Sequence, residues 1–80
     1  MVTWRAEVGA RHGLRPKNLV AAIANATGIS GKLIGRIDIQ PGWTFIDLPE
    51  GMTDETLHVL QRLKVMKRPL RLTQVSPGQS

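Results

Sequence analysis

The chain has 80 residues, no cysteine and a formal net charge of +5, from eleven Lys and Arg against six Asp and Glu. Such a length gives one domain with one small core, burying little more than ~60% of its unfolded surface, which excludes a nucleotide-hydrolysing motor. Without cysteine there is no disulfide framework or thiol nucleophile, and without an apolar run of ~20 residues or a secretion signal, a cytoplasmic domain with a polyanionic partner is expected.

Thr3 to Val8 alternates apolar and polar residues, so Trp4, Ala6 and Val8 share one face of a strand and Arg5 and Glu7 the other. A loop with two glycines runs from Gly9 to Arg15. Pro16 suits a first helical turn, Leu19, Val20, Ile23 and Ala24 recur at helical spacing, and Gly28 is a natural stop. Ser30 to Gly35 predicts one irregular turn. Arg36 to Ile39 predicts a second strand, Pro41-Gly42 a turn, and Trp43 to Leu48 a third strand paired with it as a hairpin.

Thr53 is a favourable N-cap, with Asp54 and Glu55 at the positive end of a second helix. Leu57, Leu60 and Leu63 line its core face, and Val59 widens the stripe. Val65-Met66 and Leu70 to Thr73 predict a last strand. Residues 1–75 are thus expected to form one domain and residues 76–80 a flexible tail. The order strand, helix, strand, strand, helix, strand predicts an α+β, ferredoxin-like βαββαβ sandwich, with four antiparallel strands and two helices on one face.

In that arrangement Ile46 and Leu48 continue the core face, so Trp43, Phe45 and Asp47 point to the open face. Two aromatic rings on a bare central strand suit stacking by bases, each worth ~1–3 kcal/mol. Residues 41–48, Pro-Gly-Trp-Thr-Phe-Ile-Asp-Leu, resemble the RNP octapeptide of RNA-recognition motifs in the glycine, both rings and the following aliphatic. Pro41 replaces its basic first residue and Leu48 its closing aromatic. Strand one offers Arg5 where a ring is expected, and a guanidinium can also stack on a base.

Charge falls in two clusters. Arg62, Lys64, Lys67, Arg68 and Arg71 form an acid-free run, and Arg11, Arg15 and Lys17 surround the first loop together with His12. On the predicted fold the two meet near one sheet edge, with Arg5 and Arg71 on the open face between them. Some motifs fail on spacing. Gly28-Ile29-Ser30-Gly31 lacks the second helix of a KH domain, and Gly31-Lys32 is followed by Leu33 where a P-loop needs Ser or Thr. His12 and His58 are too far apart in sequence to suggest a metal site, and Met52 and Met66 read as gap-fillers.

Gly9-Ala10-Arg11-His12-Gly13-Leu14-Arg15-Pro16, Leu19 to Ala24 and Gly35-Arg36-Ile37-Asp38-Ile39 together closely resemble the DbpA-type RNA-binding domain. That family occurs at the C-terminus of bacterial DEAD-box RNA helicases, including cold-shock helicases. The resemblance spans Trp4 to Val75 and departs where Ala10 stands in place of a frequent basic residue. It implies a non-catalytic RNA-recognition-motif-like domain that tethers a helicase core in cis to structured RNA, often ribosomal, as in ribosome biogenesis. ATP and magnesium would belong to that core, and no cofactor or metal to this domain. The expected RNA-binding residues are Arg5, Arg11, His12, Arg15, Lys17, Arg36, Trp43, Phe45, Lys67, Arg68 and Arg71. The alternative is a protein-interaction module that dimerises through the open sheet face.

Overall fold

A computed structural model describes residues 1–75 of the chain. Two helices and a four-stranded antiparallel sheet share one core. The strands β1 (Val2–Ala6), β2 (Ile37–Ile39), β3 (Thr44–Leu48) and β6 (Thr73–Gln74) lie in the order β2-β3-β1-β6. A separate two-stranded ladder joins β4 (Lys64–Val65) to β5 (Arg68–Pro69).

Register explains the division of residues between faces. Val2, Trp4 and Ala6 stand opposite Leu48, Ile46 and Thr44, and this set faces the core. Thr3 and Arg5 stand opposite Asp47 and Phe45 on the other face. Along β3 burial alternates, with Thr44, Ile46 and Leu48 buried and Phe45 and Asp47 half-buried. That is the period-two pattern of a sheet covered on one side only.

Helix α1 (Pro16–Thr27) begins with proline at its first turn and ends at Gly28, whose φ of 78° needs a residue without a Cβ. It buries Leu19 and Ile23. Helix α2 (Asp54–Arg62) starts where the Thr53 hydroxyl accepts the Thr56 N–H at 3.1 Å, and it buries Leu60. Val59, expected to widen the apolar stripe, instead stands 38% exposed. The core contact of α2 is therefore narrower than expected: Leu60 is buried, Leu57 only half-buried, and Leu63 packs on the core just after the helix.

The C-terminal third departs most from the sequence expectation. Leu70 to Thr73 does not form one strand: pairing with β1 starts at Thr73, opposite Arg5, and Val75 N–H continues it to Thr3 O at 2.8 Å. Before it, Met66 and Lys67 turn the β4–β5 hairpin with φ of 55° and 65°. Those are the two left-handed positions of a type I′ turn, which usually takes Asn-Gly. Met66 is consequently exposed rather than filling a core gap, whereas Met52 packs on the core. The tail expected over residues 76–80 lies outside the described residues.

The first loop is not irregular throughout. Ala10–His12 forms a 3-10 turn that docks on the β2–β3 connection, where Ala10 N–H and Arg11 N–H reach the Gln40 and Pro41 carbonyls at 2.8 and 2.9 Å. Gly9 makes this docking possible. A Cβ there would collide with Gln40 O and stand 2.5 Å from Trp43 N. Buried Thr44 ties the same region together by donating its hydroxyl to Val8 O at 2.6 Å. Three pieces of chain are thereby locked at one end of the sheet.

Candidate nucleic-acid interface

That locked end is where the basic residues collect. Arg5 extends from β1 on the open face, with its guanidinium carbon 5.1 Å from the centroid of the Trp43 ring and its Nε donating to Glu7 at 2.9 Å. Trp43 immediately precedes β3 instead of belonging to it, and its ring is half-buried. The ring expected to be bare is thus covered in part by Arg5. The pair is a cation–π unit, worth ~0.5–1 kcal/mol at an exposed position. Phe45, opposite Arg5, is the second ring of the face.

Arg11 lies beside this pair. Its guanidinium carbon is 3.7 Å from where a Cβ on Gly42 would stand, so the bare glycine backbone is its floor. The His12 Nδ1 accepts Gly9 N–H at 3.0 Å, which fixes the ring and leaves Nε2 as its proton carrier when neutral. Desolvation, reinforced by the charges of Arg68 and then Arg11, holds His12 below the ordinary 6.5. The loop and the β4–β5 hairpin are therefore electrostatic neighbours. Gly13 and Met66 mark their contact, at 3.9 Å from an added Cβ to the Met66 sulfur.

On the other side of Arg5, Glu7 lines a shallow depression with Arg68, Pro69 and Arg71. Glu7 N–H bonds to Leu70 O at 2.8 Å, anchoring this wall to β1. Arg71 was expected on the open face of a fourth strand. It stands instead before β6, with a left-handed φ of 46°, because the chain bends there. Lys67 occupies the hairpin tip beside Arg68.

Arg5 thus lies over Trp43 with Arg11 beside the neighbouring Gly42, Arg68 and Arg71 stand beside Glu7, and His12 feels the charges of both Arg11 and Arg68, with Lys67 at the hairpin tip. Arg15 and Lys17 are exposed at the start of α1, and among the described residues no hydrogen bond or ion pair joins their side chains to these residues. Arg36 lies at the far side of the sheet, beside Phe45, Asp38 and Asp47. Asp47 is joined on this side by Asp38, which stands opposite Phe45. Alternation along β2 could have shown it. The two carboxylates make that side of the face unfavourable for phosphates, so the cationic path runs along the Arg5 side.

Three non-glycine residues with positive φ, Met66, Lys67 and Arg71, also fall in this region. Each costs on the order of 1–2 kcal/mol relative to ordinary backbone. Two of the three, Lys67 and Arg71, are basic, so strained backbone and positive charge coincide here. Among the described residues no helix is long and apolar enough to cross a membrane.

Comparison with known proteins identifies the family of the whole chain. Residues 3–74 match the family model of the DbpA RNA binding domain. The chain is similar to the ATP-dependent RNA helicase DeaD of Escherichia coli K12, at 33% identity over 99% of the chain and 13% of that protein. It is similarly related to DeaD of Haemophilus influenzae, at 32% identity over 91% of the chain and 12% of that protein. For DeaD of Mycobacterium tuberculosis the values are 34%, 81% and 12%. The chain therefore spans about an eighth of the length of these helicases, and the match of its loop, helix and sheet over nearly its whole length makes it a member of the DbpA RNA-binding domain family.

Proposed function

We propose that this chain is the RNA-targeting domain of a DEAD-box ATP-dependent helicase, holding a helicase core in cis against structured RNA, of which ribosomal RNA is the first candidate. The strand order β2-β3-β1-β6, with both helices contributing to one core, supports a ferredoxin-like, RNA-recognition-motif-like arrangement. The observation that carries the function is the meeting of Arg11, His12 and Arg68 beside the Arg5–Trp43 pair. Phosphates would follow Arg11, Lys67, Arg68 and Arg71, with Arg15 and Lys17 as an outer approach. Bases would stack on Phe45 and on the Arg5–Trp43 unit.

Targeting needs no chemistry in this domain. Tethering raises the concentration of RNA near the motor, and ATP and magnesium act in the core. The competing module, dimerisation through the open face, is disfavoured by the charges of Arg36, Asp38 and Asp47 around Phe45.

Affinity for a ribosomal RNA hairpin, measured for the wild type, Arg68→Ala and Lys32→Ala, tests the proposal. Arg68→Ala is expected to weaken binding and to flatten the salt dependence by nearly one unit of slope. Lys32, on the turn after α1, serves as the charge-matched control and should leave the slope closer to wild type. Equal effects of the two substitutions would make the contact a diffuse charge effect. A dimer that fails to bind RNA would favour the interaction module.

A further inference from the structure

The acidic side of the open face has a chemistry that phosphate binding does not use. Thr3, Arg36, Asp38, Phe45 and Asp47 line a shallow depression of about 240 Å³, smaller than the ~300–1,000 Å³ of small-molecule clefts. A single planar nucleobase is the appropriate size of guest. Phe45 supplies a half-buried aromatic wall, with Asp38 directly opposite it across the β2–β3 ladder. Asp47 N–H donates to Arg36 O at 2.9 Å, which sets Arg36 against Asp47 one same-face step along the ladder.

Both carboxylates are oriented and left with capacity. Thr3 Oγ1 donates to Asp47 Oδ1 at 2.6 Å, and Gln40 Nε2 donates to Asp38 Oδ1 at 2.9 Å. Among the described residues neither Asp38, Asp47 nor Arg36 has an ion-pair partner. Unsaturated carboxylates and a guanidinium therefore stand around one ring without neutralising one another.

We propose that this depression is a nucleobase pocket selective for an unpaired guanine, a specificity that rests on the RNA-binding reading above. Guanine alone among the four bases presents two adjacent donors, N1–H and the N2 amine, which fill a carboxylate. It also presents two adjacent acceptors, O6 and N7, which fill an arginine fork. Adenine and cytosine each offer a single amine beside ring acceptors, and uracil offers one N–H between two carbonyls. Stacking on Phe45 would serve any base, so selectivity lies in the polar set. A cationic side chain from a protein partner suits the carboxylates but meets Arg36 in the same depression.

The test uses single-stranded U-rich heptamers with a central guanine, adenine, cytosine, uracil or inosine, beside the ribosomal RNA hairpin. Guanine should bind about tenfold more tightly than the rest. Inosine, which lacks only the N2 amine, should lose most of that gain. In an Asp38→Asn, Asp47→Asn variant the gap between guanine and inosine should close, while hairpin binding through the basic surface persists. Equal binding of all five heptamers by a wild type that still binds the hairpin overturns the pocket and leaves the targeting function intact. A guanine preference that survives in the double variant places the reading elsewhere and overturns it too. Binding of a short lysine-rich peptide, lost in the double variant, with no heptamer preference, would make the depression a cation site instead. Loss of every RNA interaction in the wild type overturns both readings.

Discussion

At the scale of the residue, neighbours decide what a side chain offers. Trp43 is in the sequence an aromatic on an open strand, but Arg5 lies over its ring and Gly42 leaves room for Arg11. Its contribution is a composite surface, in which a base can stack on the guanidinium or displace it from the ring. Trp43→Ala should cost ~1–3 kcal/mol of RNA affinity with the salt slope unchanged, as for lost stacking. Titration by isothermal calorimetry at two salt concentrations checks both quantities, and an unaltered affinity would leave recognition to charge alone. His12 gives a second prediction. Its depressed pKa means the unfolded chain takes up a proton more readily than the folded one. The associated stability is complete above about 6.5 and is lost as pH falls through the folded midpoint. An NMR titration should put that midpoint below 6.5, and Arg68→Ala should raise it; a midpoint at or above 6.5 in the wild type contradicts the arrangement. The sequence brings the two clusters to one sheet edge, but the pairing of His12 with Arg68 across it depends on the β4–β5 hairpin, which the pattern does not reveal.

At the scale of the element, helices and the central strands were legible because periodicity and caps agree. Pro16 and Gly28 bracket α1, Thr53 caps α2, and β3 alternates as its residues predict. What the pattern did not reveal was the β4–β5 hairpin, since Met66-Lys67 carries none of the usual turn chemistry. Its left-handed backbone is imposed by the pairing of Lys64 with Pro69 and Val65 with Arg68. The docked 3-10 turn was hidden for a similar reason: Gly9 reads as a flexible loop residue, yet its role is close approach to Gln40 and Trp43. Lys67→Gly should therefore relieve strain, raising stability by about 1 kcal/mol, while weakening RNA binding through the lost charge. Thermal unfolding and binding measured together test this trade, and a stabilised variant with full affinity would show that Lys67 is only a turn residue.

At the scale of the whole molecule, the net charge of +5 conceals a polarised face. One side gathers Arg5, Arg11, His12, Arg68 and Arg71, and the other sets Asp38 and Asp47 beside Phe45 and Arg36. The sequence clusters foretold the first side, since charge runs survive folding when they fall on one loop and one hairpin. The second required strand register, which pairs Asp38 with Phe45 from different strands. On the proposed function, such a polarised face would orient an RNA as well as attract it, with phosphates along one side and bases turned toward the other. That attraction, on the same proposal, comes from a small number of discrete phosphate contacts. Its direct test is the salt dependence of wild-type affinity for single-stranded RNA from a ribosomal hairpin loop. Neutralising about four phosphates predicts a slope of log K against log salt near −3. A slope close to zero, or no binding at low salt, would contradict it.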